Sequence, residues 1–222
     1  MAPRSSRARK PAVRAPRADG DLTRQHILRT AGQVFAERGY ADTTSKEICT
    51  RAGTNVAAVN YHFGGKDGLY EAVLIEAHRQ IVGLEDLAGL AGDPRQRLRA
   101  LLLHLLQHGA RPAAPWGFRV ILRELMAPSP LAPALVEQAI LPKARLVRGL
   151  VAGIMGLPAE HPAVQRCLAF TVLPCIMLVI APKEVGGQVL PALKDTQALV
   201  DELMRYAFAG IEAVAAVHRP SR

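Results

Sequence analysis

A chain of 222 residues, half of them hydrophobic and with little strand-like alternation, is predicted to be all-α with a large core. Its net charge of +9 is uneven: residues 1–20 hold six basic side chains and one acid, whereas residues 21–66 hold six and four, so overall basicity alone is no argument for nucleic-acid binding. Three cysteines with no C-x-x-C pair point away from a disulfide framework and towards a reduced, cytoplasmic protein, and the longest apolar run, residues 167–181, is shorter than the ~20 residues of a spanning helix and contains Pro174.

In chain order, residues 1–20 are rich in Arg, Pro and Ala without periodicity and are expected to be disordered. They read as a solubilising tail, as a basic arm that orders along DNA phosphates, or as a transit peptide, although their prolines oppose an amphipathic helix and no apolar segment makes a secretory signal. A first helix is predicted over residues 22–38, with Ile27, Ala31, Val34 and Phe35 on one stripe and Gly39 as its stop. Thr44 and Glu47 have the spacing of a capping box, in which Thr44 caps a helix over residues 45–52 and Glu47 reaches back. Gly53 stands where a tight turn needs a positive φ, and a short helix over residues 56–63 follows with Val56 and Val59 facing inward. This is the pattern of a helix-turn-helix, whose second helix enters the major groove. A fourth helix opens at Lys66 and runs through Leu69, Val73, Ala77 and Ile81. Further helices are predicted over residues 94–109, 116–126, 131–156, 162–180 and 196–218, separated by Pro- and Gly-bearing loops.

On the third helix, Asn55, Ala57, Ala58, Asn60, Tyr61 and His62 point away from the two valines and are the candidate DNA-facing residues. Asn can bond an adenine edge, Ala can meet a thymine methyl, and Tyr or His can donate to phosphate. Lys66, at the start of the fourth helix, and Thr44 are candidate backbone contacts. Read only as structure, Tyr61 and Phe63 would be packing residues and Lys66 a solvated lysine. The GGKDG run at residues 64–68 is no phosphate loop: Asn60 stands where the first Gly is needed and Asp67 where Ser or Thr is needed.

In the remainder, His104 and His108 share a helical face and read as a core flank, as cavity lining, or as a metal pair without completing ligands. Trp116, Arg119 and Arg123 are candidate ligand contacts on a polar-aromatic helix, and Arg123 and Glu124 either orient a ligand or pair to hold the next loop. Met177 suits a permissive cavity, though scattered methionines are more often core. No nucleophile elbow, metal motif or cofactor loop is visible, so no catalytic residue, metal or cofactor is assigned and no enzymatic activity is expected. The last two long helices carry Leu168, Val172, Ile176 and Val179, and Leu199, Leu203, Phe208 and Ile211, more apolar surface than a monomer should bury.

The run formed by Phe35, Gly39, Tyr40, Thr44, Ile48, Arg51, Ala52, Gly53, Val59, Tyr61, His62, Phe63, Lys66 and Leu69 resembles the TetR family of bacterial transcription regulators. The segment RELMAPSP at residues 123–130 looks like the C-terminal domain of the CerR/CecR-type subgroup. The resemblance implies about nine helices, a helix-turn-helix domain over residues 21–68, and a ligand-binding and dimerisation domain over residues 69–222. It further implies a homodimeric regulator without membrane attachment, a repressor released from palindromic double-stranded DNA by a small-molecule effector. One position departs: the family usually has Tyr where Asn60 stands, so Asn60 either keeps a phosphate contact or reads a base. The alternatives are a ligand-binding protein or enzyme with a vestigial head, and a sequence-neutral DNA binder.

Overall fold

The computed structural model describes residues 16–81, 83, 89, 91–109, 116–180 and 190–219, without the side chains of 16–18, 107–109, 179–180, 193–194 and 196. Among these residues the chain forms nine α-helices, a short 3-10 turn at Pro191–Lys194 and no strand. The first, α1 (Pro16–Arg38), starts six residues before the expected position 22. Proline is at home in a first helical turn and Asp19 adds a favourable acid there, so the end of the basic segment is helical. Residues 1–15, most of the expected arm, lie outside the described residues.

There follow α2 (Ser45–Ala52), α3 (Val56–Phe63), α4 (Lys66–Ile81), α5 (Pro94–Gly109) and α6 (Trp116–Met126). The next helix, α7, is three runs end to end: Ala132–Leu135, a π-helical turn Val136–Ile140, and Leu141–Met155. Pro142 explains the wide turn, because it has no amide to donate and its ring would strike the carbonyl four residues back. The Leu141 amide instead bonds the Val136 carbonyl and the helix continues. The last two are α8 (Pro162–Ile180) and α9 (Thr196–His218).

Two apolar clusters hold these helices. In one, Ile27 and Phe35 of α1, Ile48 of α2, Val59 of α3 and Val73 of α4 pack with Val120 of α6 and Leu135 and Ala139 of α7. The head residues therefore share their core with the body, and packing does not break at residue 68. The second joins α5, α7, α8 and α9 through Leu102, Val151, Val164 and Ile211. Helices α4 and α6 nearly touch: a Cβ on Gly117 would lie 2.8 Å from the Ala77 Cα. The Trp116 indole lies on α1, where a Cβ on Gly32 would come within 2.5 Å of the ring. At the other end, the Arg219 guanidinium donates to the carbonyls of Met155 (2.7 Å) and Ile154 (2.9 Å), closing α7.

The apolar surplus on α8 and α9 sits on other residues than expected. Leu168, Val172 and Leu203 pack against the body core, and Phe208 and Ile211 are buried in it. The side chains left in water are Phe170, Leu173 and Met177 on α8 and Tyr206 and Val217 on α9.

Between α4 and α7, the Lys143 ammonium lies 2.5 Å from His78 Nδ1. Burial, and then the charge of Lys143, push the His78 imidazole down to about 4, so it stays neutral and accepts from the ammonium. The unfolded chain takes up that proton near the ordinary value of 6.5. The stability due to neutral His78 is thus full above pH 6.5 and drains away as the pH falls towards 4, by up to about 3 kcal/mol. Urea titrations between pH 7 and 4.5 are expected to show this loss, and His78→Gln to flatten the slope.

Candidate nucleic-acid interface

The helix-turn-helix is built by its caps. Thr44 Oγ1 accepts from the Glu47 amide (3.2 Å) at the start of α2. The reciprocal half of the expected capping box is not what Glu47 does. Its carboxylate forms ion pairs with Arg38 (3.0 Å) and Arg51 (3.2 Å), and Arg51 also reaches Glu37 at 2.6 Å. Two guanidinium groups outcompete one backbone amide for a carboxylate. Gly53 ends α2 at φ 59°, as the turn requires, and the Thr54 amide closes it on the Cys49 carbonyl at 3.0 Å.

Asn55 is the N-cap of α3. Its Oδ1 accepts from the Ala58 amide at 2.9 Å, so this side chain is engaged before any base could meet it. Val59 is fully buried, but Val56 is 46% exposed and does not face inward with it. Positions 56, 57, 60 and 61 share one side of the helix, and all four residues, Val56, Ala57, Asn60 and Tyr61, are exposed. Tyr61 stands furthest out, at 85% exposure. Ala58 is half-buried against the head core, and the half-buried His62 ring lies edge-on to Tyr61 with centroids 4.9 Å apart.

Beside this face, the Lys66 ammonium sits 4.3 Å over the Tyr40 ring. The Tyr40 hydroxyl donates to Asp67 (2.7 Å), and this bond holds it protonated above its ordinary range. Sequence reasoning placed Tyr40 only in the matched run; no local spacing reveals it as the platform under Lys66. Arg24 of α1, also missed, lies 5.0 Å over the Phe63 ring at the end of α3.

Two of the expected ligand residues, Arg123 and Trp116, are engaged by α1. Arg123 Nε and Nη2 donate to the carbonyls of Ala36 (3.0 Å) and Glu37 (2.7 Å) at the end of α1, so Arg123 serves the head rather than a cavity. Trp116 is likewise taken by Gly32 of α1. Glu124, 4% exposed, does hold the next loop, accepting from the Ser129 amide (2.9 Å) and hydroxyl (2.8 Å), and its third donor is the Tyr70 hydroxyl (2.8 Å), not Arg123. Met177, 60% exposed, lies on an outer face because α8 turns its small Cys175 inward instead. Arg119 is exposed and His104 half-buried, while the His108 side chain lies outside the described residues. An open groove of about 600 Å³ between α5 and α9, lined by Arg95, Arg99, Asp201 and Phe208 among others, contains none of them. No three His, Cys, Asp or Glu side chains gather as a metal site among the described residues.

Residues 27–73 match the model for bacterial regulatory proteins of the tetR family, and residues 94–211 match that for the C-terminal domain of the HTH-type transcriptional dual regulator CecR. The chain belongs to the TetR family. This TetR-family chain is 34% identical to the HTH-type transcriptional regulator AcrR of Shigella flexneri over 43% of its own length and 45% of that protein. It is 31% identical to the HTH-type transcriptional activator FasR of Mycolicibacterium smegmatis over 67% of each chain. For AcrR and the HTH-type transcriptional repressor NicS of Pseudomonas putida, the match spans about half the relative's length, 45% and 48%. The crystal structure of the fatty acid degradation regulator FadR from Bacillus halodurans shares the fold, with a TM-score of 0.62 at 19% identity over 84% of this chain and 98% of that one. No described helix is long and apolar enough to cross a membrane.

Replacing Asn55 by Ala removes the α3 cap and is expected to cost about 1 kcal/mol, whereas Asn55→Ser should retain most of it. Chemical denaturation compares the two.

Proposed function

We propose that this chain is a sequence-specific transcriptional repressor, working as a homodimer, that leaves a palindromic operator when a small molecule occupies the body. The observation that carries this reading is the outward face of α3. Val56, Ala57, Asn60 and Tyr61 stand exposed on a helix whose ends are capped and whose inner side is anchored by Val59. An apolar and aromatic surface of this kind, beside a lysine at a helix amino end, has the chemistry of a major-groove reader. Val56 and Ala57 suit thymine methyls, Tyr61 and Lys66 suit phosphates, and Thr44, at the exposed start of α2, suits the backbone.

The dimer rests on α8 and α9. Phe170, Leu173 and Met177 are 66%, 57% and 60% exposed, and Tyr206 and Val217 are 77% and 79% exposed. Each set follows one side of its helix, and a second copy would cover both. Two heads about 34–36 Å apart then meet successive major grooves. Effector and operator weaken each other by the same factor if the effector prefers a head spacing that mismatches DNA.

The test is capture of fragmented genomic DNA by the purified protein at ~150 mM salt, where non-specific binding is weak, followed by sequencing. A shared palindrome supports the reading; sequence-blind retention, or none by protein freed of co-purified ligand, overturns it. On the recovered operator, Lys66→Ala is expected to weaken binding to all sequences alike and lower the salt slope by about one, and Asn60→Ala to relax preference at one base position. An unchanged preference would assign Asn60 to the backbone. Leu173→Glu is expected to yield a folded monomer by sedimentation, with operator binding lost.

A further inference from the structure

Arg123 and Glu124 are neighbours on α6, and a helix turns consecutive side chains about 100° apart. They reach the head at two different places. The Arg123 guanidinium donates to the Ala36 and Glu37 carbonyls (3.0 and 2.7 Å), in the last turn of α1, where a helix runs short of its own amides and favours a cation. The carboxylate of the same Glu37 holds Arg51 of α2 at 2.6 Å, so this path ends in the helix-turn-helix.

The second path runs through Glu124 to the Tyr70 hydroxyl (2.8 Å). The Tyr70 ring lies 4.9 Å from that of Tyr40, which carries Lys66 over its face and Asp67 on its hydroxyl. It ends at the amino end of α4. Glu124 also holds Ser129, and Gly117 brings α6 against Ala77 of α4, so the shared helix is braced on the body side.

We infer that Arg123 and Glu124 form a two-point clamp that sets the angle of the head on the body, which makes Arg123 a positioning residue for operator binding. It acts through α1 and α2 and touches no DNA itself. A shift of α6 would move the end of α1 and the start of α4 together, in parallel with any movement passed along α4. The operator part of this inference rests on the DNA-reading function proposed above; the clamp itself does not.

The test uses the full chain, spin-labelled at Thr50→Cys in the head and Gln165→Cys in the body and diluted with unlabelled chain. The native cysteines are buried. Arg123→Ala and Arg123→Gln are expected to broaden the head-to-body distance distribution, Arg123→Lys to broaden it less, and Tyr70→Phe, which removes only a hydroxyl, to broaden it independently. On the operator, the Arg123→Gln protein should bind about tenfold more weakly, within the usual span of coupling between sites, with an unchanged salt slope. A purely structural role would lower the melting temperature while leaving the distances and affinity of the folded protein unmoved, and that result overturns the clamp. A reduced salt slope would make Arg123 a phosphate contact and also overturns it. Broadened distances in a protein that binds no DNA sequence would uphold the clamp and reject its operator role together with the DNA-reading function.

Discussion

A carboxylate with 4% exposure has lost its water, and the surroundings of Glu124 are arranged to replace it. Three donors from two places in the chain converge on it: the Tyr70 hydroxyl of α4, and the amide and hydroxyl of Ser129 in the turn towards α7. Each is costly to remove, because a buried acceptor left unmet keeps its full desolvation penalty. Burial, followed by the bond to Glu124, holds the Tyr70 hydroxyl protonated well above its ordinary range, which secures it as the donor. The constraint fixes α4 against α6, and the rest of the head follows, since Tyr70 packs on Phe35 and Tyr40 and so on α1 and the approach to α2.

The same economy governs the helix ends. Arg123 closes α1 and Arg219 closes α7, each with a guanidinium donating to two carbonyls that lack helical partners. One ties the head to the body; the other ties the end of α9 to the core. Large apolar side chains remain in water on two surfaces of particular interest, the outer side of α3 and the outer sides of α8 and α9. DNA and a second copy of the chain are the proposed occupants.

Much of the fold was legible along the chain because its punctuation is local. Gly39 and Gly53 stop α1 and α2, and prolines open α5 and α8, within the single turn over which such signals act. Thr44 was legible as a cap for the same reason. The misplacements concern longer reach. Glu47 was recruited by Arg38 as well as by its helical neighbour Arg51, and Val56 was turned outward because an eight-residue helix buries only the side that meets its neighbours. Met177 could not be told from Cys175 as the inward residue by composition.

Local signals along the chain set the nine α-helices of the described residues, most of their ends, the helix-turn-helix and the position of Lys66, because backbone preference and hydrophobic period act between residues a few places apart. The early start of α1 and the π-helical turn in α7 were not among the features set this way. Tertiary structure alone decided that Arg123 serves α1, that Glu124 binds Tyr70, that Lys66 rests on Tyr40, and which side of α8 meets water. Those outcomes depend on where helices distant in the chain cross, and a long polar side chain takes whichever partner the crossing brings within a hydrogen bond's reach.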